Sequence, residues 1–445
     1  MRRQIRLLLG ISVFWLALSV LTDGINTLVL PLQISGLAPE NQQATLVGML
    51  TFFGLLAGAL IQPIAGAFSD KLHPLLGRRG FIGMGLLLSL VALFVLGFFP
   101  GLLGVILGYL AIQLSASIAQ AGQQGLIPDL IDERQRGIAS GFKGFMDLTG
   151  AMLGFVLLGQ LLGSGEPLRA IAAMGAILIV AYVLAVLLTP EDKPQKSTAA
   201  KTTAIPLRSI FHLNTREHQA FIQLVLSRFL FLLGIYATGR FLLLFVANRL
   251  GLSEKDAAEQ AGNLLAGLAL ITVVASPFAG WLADRFGRTT LMIAGALLSA
   301  VSALSLIWAH SAAQILLFGG LMSVGSAAFA GGSWALLADL VPKEESARFF
   351  GLANFSTAGS AAVAGLFGPM IDAVDRLSPG FGFSLLFAAA SLACFASILP
   401  LRNEVWKEVG EKYANKRKIR AHNSGLAVVS LPADPAGSQE DPHSP

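Results

Sequence analysis

The chain has 445 residues, of which 54% are hydrophobic and only 13% are charged. Soluble domains usually carry about 25% charged residues, so this composition excludes an ordinary soluble enzyme. It also excludes a disordered chain, which needs low hydrophobicity and high charge. The formal charge of +5 suits nucleic-acid binding in a soluble protein, but in an apolar chain basic residues set orientation in a membrane. We therefore expect a lipid bilayer and no nucleic acid as the partner.

Twelve apolar runs are each long enough to cross a bilayer, which takes about 20 residues. We number them spans 1 to 12, and together they predict an all-α polytopic membrane protein. The first run follows a basic N-terminus but has no small-residue cleavage site, so we interpret it as a span and not as a signal peptide. The predicted runs are approximately 7–33, 44–68, 80–99, 101–127, 138–163, 168–188, 219–248, 258–282, 289–309, 312–337, 348–374 and 380–401.

Two polar segments divide the chain. A basic linker at 190–218 separates six spans from six, and a tail at 402–445 ends in a stretch rich in Pro, Ser and Asp. The sequence therefore predicts an N-terminal six-helix bundle at 1–189 and a C-terminal six-helix bundle at 219–401. The tail is expected to be partly disordered.

The basic residues are distributed unevenly between the two sides of the predicted membrane. Of the 31 Lys and Arg residues, 25 fall in segments that share one side with the N-terminus. Four fall in the opposite loops, and the remaining two, Arg228 and Arg240, lie inside span 7. By the positive-inside rule this bias predicts that the linker and both termini are cytoplasmic. A multi-pass protein of the cell inner membrane is the expected location.

The two halves repeat the same loop motif. Span 2 ends in PIAGAFSDK at 63–71, followed by GRR at 77–79, and span 8 ends in PFAGWLADRFGR at 277–288. A second pair of motifs starts at Asp129 and Asp339, each followed by a glycine twelve residues later. Two matches at nearly the same spacing indicate a duplicated six-helix unit in parallel orientation.

Twelve spans in two sets of six, a basic central loop and G-x-x-x-D-(K/R)-x-G-R-R after spans 2 and 8 resemble the major facilitator superfamily over residues 1–401. The longer first copy, with GRRGFI at 77–82, resembles the glycoside–pentoside–hexuronide and sucrose-type symporters within it. The resemblance implies a secondary transporter of a small, sugar-like solute that works by alternating access. It also implies coupling to a proton or sodium ion, a monomer and no cofactor.

The resemblance further implies that the loop motif forms a cytoplasmic gate. A glycine one turn before each motif aspartate would let helices approach closely, and the aspartate would reach a helix N-terminus of the other half. The motif arginines would bind carboxylates at the ends of spans 4 and 10. The alternative is that these charges only anchor the topology. The gate residues are Gly66, Asp70, Lys71, Gly77, Arg78, Arg79, Asp129, Arg136, Gly280, Asp284, Arg285, Gly287, Arg288, Asp339 and Arg348.

Ionisable residues at membrane depth cost about 2.5–3.5 kcal/mol each on insertion scales, and they are therefore functional candidates. Because the superfamily lines its cavity with spans 1, 4, 7 and 10, we expect Asp23 to face span 7 and to be able to pair with Arg240. Asp147 follows Lys143 by four residues, so the two can simply pair on one helix face. The candidates for substrate binding and coupling are Asp23, Asn26, Gln113, Gln120, Asp147, Arg228, Arg240 and Trp334.

The other candidates have structural alternatives. Gln113 and Gln120 are seven residues apart on one face of span 4, where they can bind a neutral polar solute or join helices. Trp334 can stack on a sugar ring or pack against protein, and Arg228 can bind backbone carbonyls.

Three other functions compete with a coupled transporter of a sugar-like solute, whose direction the sequence leaves open. A proton-coupled multidrug or metabolite exporter of the same superfamily usually has a Gly-Pro motif in span 5, which is absent here. A membrane enzyme needs a metal or nucleophile cluster, but no H-E-x-x-H or G-x-S-x-G occurs, and we expect no enzymatic activity. A non-transporting receptor or assembly factor on the same fold stays open.

Overall fold

A computed structural model describes residues 2–132, 135–190, 218–340, 346–378 and 380–402. In this part of the chain, twelve helices are long and apolar enough to cross a membrane, which confirms the predicted all-α membrane fold. Most of the predicted linker, residues 191–217, and the tail from 403 onward lie outside the described residues.

The spans, numbered as above, have bounds close to those predicted. They are Gln4–Ser35, Glu40–Ser69, Leu75–Phe98, Gly101–Leu130, Arg136–Gly163, Pro167–Leu188, Gln219–Arg240, Glu254–Phe286, Arg288–Trp308, Ala312–Leu337, Leu352–Leu377 and Gly382–Leu401.

Span 1 is interrupted by one wider helical turn. Residues Ile25–Val29 form a π-helical turn in which the Leu30 N–H donates to the carbonyl of Ile25. Pro31 follows at once, and a proline ring inside an α-helix clashes with the carbonyl four residues earlier. A π turn relieves such a clash, and π turns are frequent at functional sites. This one begins two residues after Asp23 and contains Asn26.

The duplication is visible in the backbone as well as in the sequence. Spans 2 and 3 run as one helical segment, Glu40–Phe98, broken only at Gly77, which has φ 64°. Spans 8 and 9 are joined at Gly287, which has φ 93°. These positive φ values favour glycine. The two glycines occupy equivalent positions of the repeat, and each is followed directly by a motif arginine.

Spans 1 and 5 approach each other closely because span 5 presents glycines to span 1. A Cβ atom at Gly150 would lie 2.8 Å from the Cα atom of Leu16, and one at Gly154 would lie 3.1 Å from the Cα atom of Val20. Small residues at such positions let helix backbones pack in the membrane. The close approach also lets Lys143 of span 5 contact the Trp15 ring of span 1.

Candidate substrate cavity

The bundle has one end that is rich in arginine contacts, which we call the basic end. There Arg6 donates to the carbonyl of Leu187 at 2.8 Å, joining the start of span 1 to the end of span 6. Arg136 donates to the carbonyls of Pro128 and Ile131 at 3.2 and 3.4 Å, which caps the end of span 4. The other end of the bundle is called the opposite end.

At the opposite end the two halves are in backbone contact. A Cβ atom at Gly48 would overlap with the carbonyl oxygen of Gly365, and one at Gly368 would overlap with that of Ala44. The Thr45 N–H also donates to the Asp372 carboxylate at 2.6 Å. Spans 2 and 11 therefore close this end, and Asp372, which is only 3% exposed, holds them together.

The basic end is arranged differently. In the part of the chain that the structure describes, no atom beyond its own helix lies within 4 Å of a Cβ atom placed at Gly66 or at Gly280. Within its own half, Gly331 of span 10 lies close to the backbone of Gly280, while a close approach at the open faces of Gly66 and Gly280 stays a prediction. The halves meet at the opposite end, so that the basic ends of spans 2 and 8 are left with open space.

A cavity of about 740 Å³ lies between the halves and is lined by residues of both. Spans 1, 2, 4 and 5 line it from the N-terminal half, and spans 7 and 11 from the C-terminal half. The described part of span 10 contributes no lining residue, in contrast to the expectation from the superfamily. The uncharged polar side chains of the wall are Thr22, Asn26, Thr27, Gln62, Gln113, Ser117, Gln120, Gln124, Tyr236, Asn354 and Thr357.

Asp23 and Arg240 face this same cavity from opposite halves. Asp23 accepts a hydrogen bond of 2.7 Å from the hydroxyl of Ser19, and Arg240 donates to the carbonyl of Ala361 at 3.3 Å. The two side chains interact electrostatically without a direct ion pair between them. Arg240 is 6% exposed, and its Nε and Nη1 atoms are buried without a hydrogen-bond partner. Such a buried cation is costly unless something compensates it.

A wall of amide side chains continues from Asp23 along spans 1, 2 and 4. The Asn26 Oδ1 atom accepts from the Tyr109 hydroxyl at 2.8 Å and from the Gln113 Nε2 atom at 3.0 Å. About two helical turns further along span 4, the Gln62 side chain of span 2 donates to the Oε1 atom of Gln120 at 3.3 Å. Amides carry both donors and acceptors, so this wall suits a solute with hydroxyl or carbonyl groups.

Lys143 of span 5 contacts span 1 and lies one helical turn before Asp147 on its own helix. The Lys143 Nζ atom lies 3.7 Å from the centroid of the Trp15 ring, a cation–π contact. Lys143 and Asp147 also interact electrostatically along span 5. Their pairing on one helix face, considered from the sequence, stays a prediction.

Arg228 and Trp334 lie together, away from the lining of the cavity. The Arg228 Nη1 atom donates to the hydroxyl of Ser333 at 2.6 Å, and its guanidinium carbon is 4.3 Å from the centroid of the Trp334 ring. These contacts join span 7 to span 10. The arrangement agrees with packing as the role of Trp334, which was one of its two predicted alternatives.

The loop motif forms equivalent contacts in each half. Arg78 donates to Asp129 at 2.8 Å and to the hydroxyl of Ser69 at 2.9 Å, and Arg288 forms an ion pair with Asp339. Arg79 donates to the carbonyls of Thr189 and Pro190. The two candidate pairs from the sequence are thus both formed, each within a single half.

The remaining gate residues lie at exposed ends of helices. Lys71 and Asp284 are exposed, and the Arg285 guanidinium carbon lies 5.4 Å from the centroid of the Trp281 ring on its own helix. The side chains of Asp70 and Arg348 lie outside what the structure describes, so the predicted reach of Asp70 to the other half stays a prediction.

Sequence reasoning missed several polar residues of the cavity and its closure. Tyr109 lies one helical turn before Gln113, a spacing that could have revealed it. Asp372 is an acidic residue within an apolar run, which is the signal that singled out Asp23. Gln62, Asn354 and Ser19 carry no such signal, because isolated polar uncharged residues are common in membrane spans.

A family model described as MFS/sugar transport protein matches residues 38–399. The chain belongs to this family. The assignment to the major facilitator superfamily is thereby confirmed, and the protein is a membrane transporter with twelve spans that acts on small molecules. The finer resemblance to the glycoside–pentoside–hexuronide branch stays a prediction.

The relatives found by sequence are distant from this chain. The chain is 26% identical over 378 residues to the multi-drug resistance efflux pump PmrA of Streptococcus pneumoniae, covering 83% of this chain and 89% of that protein. It is 31% identical over 124 residues to the shikimate transporter of Escherichia coli, covering 28% and 27%.

Solved structures share the fold at low identity. A bacterial homologue of the human lysosomal transporter Spinster, in an inward-facing and unoccupied conformation, matches with a TM-score of 0.67 at 16% identity, covering 90% of this chain and 94% of that one. A D-xylose-proton symporter matches with a TM-score of 0.65 at 20% identity, covering 90% and 96%.

Proposed function

We propose that the protein is a proton-coupled secondary transporter of a small hydrophilic solute, and that it works by alternating access between its two six-span halves. The observation that carries this proposal is the polar cavity between the halves, which Asp23 and Arg240 line from opposite sides. A solute held there contacts both halves at once. Its binding can therefore be linked to their relative motion.

The polarity of the wall supports a hydrophilic solute. Amide and hydroxyl side chains supply most of its hydrogen-bonding groups, and only Trp15, Tyr236 and Phe355 add aromatic surface. A sugar-like or other hydroxylated molecule fits these groups, because each hydroxyl group can both donate to and accept from an amide.

Asp23 is the proposed coupling group. When Asp23 is ionised, it compensates the charge of Arg240, and when it is protonated, the guanidinium is left without that compensation. The Arg240 nitrogens that lack a partner then favour a solute oxygen. Proton and solute binding thus affect each other through one cation, and linkage requires the effect to be reciprocal.

The arrangement of the two ends supports alternating access. The halves touch at the opposite end and leave space at the basic end, so the cavity belongs to a state that opens toward the basic end. With the basic end on the cytoplasmic side, as the distribution of Lys and Arg predicts, this is the inward-open state. A transporter of this design also needs a second state in which the basic end is closed.

Uptake into proteoliposomes with an imposed pH gradient tests this function. The panel holds neutral sugars, sugar acids and a lipophilic cationic dye. We expect gradient-dependent flux of a hydrophilic member, and Asp23→Asn should abolish accumulation while exchange between equal concentrations continues. Asp375→Asn is the matched control, since that carboxylate bonds the Gly382 N–H within one half and does not line the cavity. Absence of gradient-dependent flux for every member would refute the coupled transporter.

Export of lipophilic compounds is the second candidate, and the efflux pump of Streptococcus pneumoniae among the relatives favours it. The same panel separates the two functions. Flux of the dye alone, driven by the pH gradient and competed by no hydrophilic solute, would favour the exporter.

A further inference from the structure

We propose that the cavity between the halves binds a hydrophilic organic anion, and that Arg240 holds its carboxylate group. This inference rests on the proposed function, because it names the charge of the solute that the same cavity would carry. A neutral hydroxylated solute would satisfy the amide wall, but it would leave the excess positive charge of the cavity without a counter-ion.

The charged side chains that line the cavity do not balance each other. Among the described residues they are Asp23, Lys143 and Arg240, which are two cations and one carboxylate at neutral pH. Asp147 interacts electrostatically with Lys143, but it does not line the cavity. The surface that a solute meets is therefore net positive, and a solute with one negative charge makes it neutral.

Arg240 is a buried cation with unused hydrogen-bonding groups. It is 6% exposed, its Nη2 atom donates to the carbonyl of Ala361 at 3.3 Å, and within the described chain its Nε and Nη1 atoms have no partner. Asp23, by contrast, accepts a hydrogen bond from Ser19 on its own span. A buried charge is costly until it is paired, and a carboxylate can bind two N–H groups of a guanidinium at once. Arg240 is therefore the group that a solute carboxylate completes.

The neighbouring wall offers both donors and acceptors to the rest of such a solute. The Asn26 Oδ1 atom already accepts from Tyr109 and Gln113, so this amide has only its NH2 group left, which donates. The hydroxyl protons of Thr22 and Thr27 are donated to backbone carbonyls of the same span, which leaves their oxygens as acceptors. Carboxylate oxygens fit the amide donor, and solute hydroxyl groups fit the threonine oxygens.

Lys143 lies nearer to the open end of the cavity than Arg240 does. Span 5 begins at Arg136 at the basic end, and Lys143 follows two helical turns later. Span 7 starts at the same end, because successive spans alternate in direction, and Arg240 is its last residue. The Lys143 Nζ atom is held 3.7 Å from the centroid of the Trp15 ring. A cation in a cleft raises the local concentration of anions, so an anion that enters from the basic end meets Lys143 first and Arg240 at the closed end.

The charge of the cavity can be measured without any substrate. Ala59→Cys and Ala358→Cys each place a thiol on its wall, one from each half, and the native Cys394 is buried. Two methanethiosulfonate reagents of similar size, one ending in a sulfonate and one in a trimethylammonium group, react with the full-length protein in lipid nanodiscs. Relative to their rates with a free thiol in solution, we expect the anionic reagent to react about tenfold or more faster than the cationic one.

Neutral variants of the two cations test their part in this preference. Lys143→Gln and Arg240→Gln should each reduce it by about threefold or more, whereas Arg240→Lys, which keeps the charge, should retain it. Lys255→Gln and Arg249→Gln are the matched controls, since neither residue lines the cavity. Lys255 is exposed, and Arg249 donates to the carbonyl of Ile307 and, within the described residues, also has an Nε atom without a partner. Both controls should leave the preference unchanged.

A matched set of probes identifies the solute group that Arg240 holds. D-Gluconate, D-sorbitol and D-glucamine share a hydroxylated chain of the same length and end in a carboxylate, an alcohol and an ammonium group. Their affinities for the full-length protein are measured at constant pH with no gradient. We expect gluconate to bind about tenfold or more tightly than sorbitol, because it adds a charge-assisted hydrogen bond to a buried cation. Arg240→Gln should remove this difference and leave the affinity for sorbitol unchanged.

Three outcomes would overturn the anion site. One is a wall cysteine that reacts with both reagents at the same relative rate or prefers the cationic one. Another is gluconate that binds no more tightly than sorbitol. The third is inorganic phosphate that binds as tightly as gluconate, which would make the site one for charge alone. If gluconate binds as expected but no solute moves under a pH gradient, only the proposed function fails; gradient-driven flux of a neutral solute that Arg240→Gln leaves unchanged would refute only the anion site.

Discussion

The two ends of the bundle use glycine in opposite ways. At the opposite end Gly48, Gly365 and Gly368 bring the backbones of spans 2 and 11 into contact, while at the basic end Gly66 and Gly280 face open space. The same residue type therefore marks both a closed interface and an interface that is open in this state. This difference teaches that a glycine in a membrane span predicts a possible close approach, and that the conformation decides whether the approach occurs.

The hydrogen bonds of the two ends differ in the same way. Asp372 bonds the Thr45 N–H across the halves, whereas Arg78 and Arg288 bond the carboxylates of Asp129 and Asp339 within one half each. Contacts within a half stiffen it without favouring either state. The opposite end is therefore where substitutions should change the balance between the two states most.

One practical property helps to measure that balance. The chain has a single cysteine, Cys394, and it is fully buried. Spin labels can therefore be attached to introduced cysteines with little labelling of the native one. Exposed positions exist at both ends: Asn41 and Arg376 at the opposite end, and Lys71 and Arg285 at the basic end.

Gly365→Val should give the largest effect. Any side chain at this position overlaps with the carbonyl oxygen of Gly48, and backbone atoms of packed helices have little room to yield. We expect the opposite end to open, with transport reduced by about a hundredfold or more, as overpacking of about 3 kcal/mol implies. The spin-label distance between positions 41 and 376 should increase. An unchanged distance would contradict closure by these glycines.

Asp372→Ala should give an intermediate effect. It removes a charged acceptor from a hydrogen bond between the halves, a loss of about 1.5–3 kcal/mol, so the closed opposite end should become about tenfold or more less populated. The matched control is Asp375→Ala, which removes a carboxylate that bonds the Gly382 N–H inside one half. The control should leave the distance between positions 41 and 376 unchanged, and equal effects of the two substitutions would show that the contact does not hold the halves together.

Gly66→Val and Gly280→Val should give the smallest effect. Both positions have space in the present conformation, so the distance between positions 71 and 285 should not change in this state. If the basic end closes through these glycines, transport should slow by about two- to tenfold, because the second state is overpacked by up to about 1.4 kcal/mol. A transport rate equal to that of the wild type would assign the two glycines no role in closure.

Much of the fold could be predicted from the sequence because bilayer thickness fixes span length. The predicted and observed spans differ mostly by a few residues at their ends, and span 7 shows why larger errors occur. Its apolar run continues to 248, but the helix Gln219–Arg240 is broken at Phe241, and a separate helix, Leu242–Leu250, follows. Hydropathy does not register this break, since both helices are apolar.

The cavity was harder to predict than the spans. In a soluble helix the polar stripe marks the surface, but in a membrane lipid and protein core are both apolar, so periodicity gives little information on facing. Asp23 and Arg240 were identified because their charges are exceptional at membrane depth. The contact of Lys143 with Trp15 could not be derived, because it depends on how closely spans 1 and 5 pack and on which residues then meet.

The π turn in span 1 also determines how the two parts of this helix are rotated relative to each other. An α-helix advances about 100° per residue, and a π turn accommodates one extra residue without breaking the rod. Compared with a continuous α-helix, the residues of span 1 before Ile25 are therefore rotated by about 100° relative to the residues after Val29. Ser19 and Asp23 belong to the first part, and the Pro31 segment that packs toward the opposite end belongs to the second. The direction in which the Asp23 carboxylate points relative to the Pro31 segment is thus set by a single inserted residue, and loss of one residue from that turn would rotate the two parts of span 1 relative to each other by about 100°.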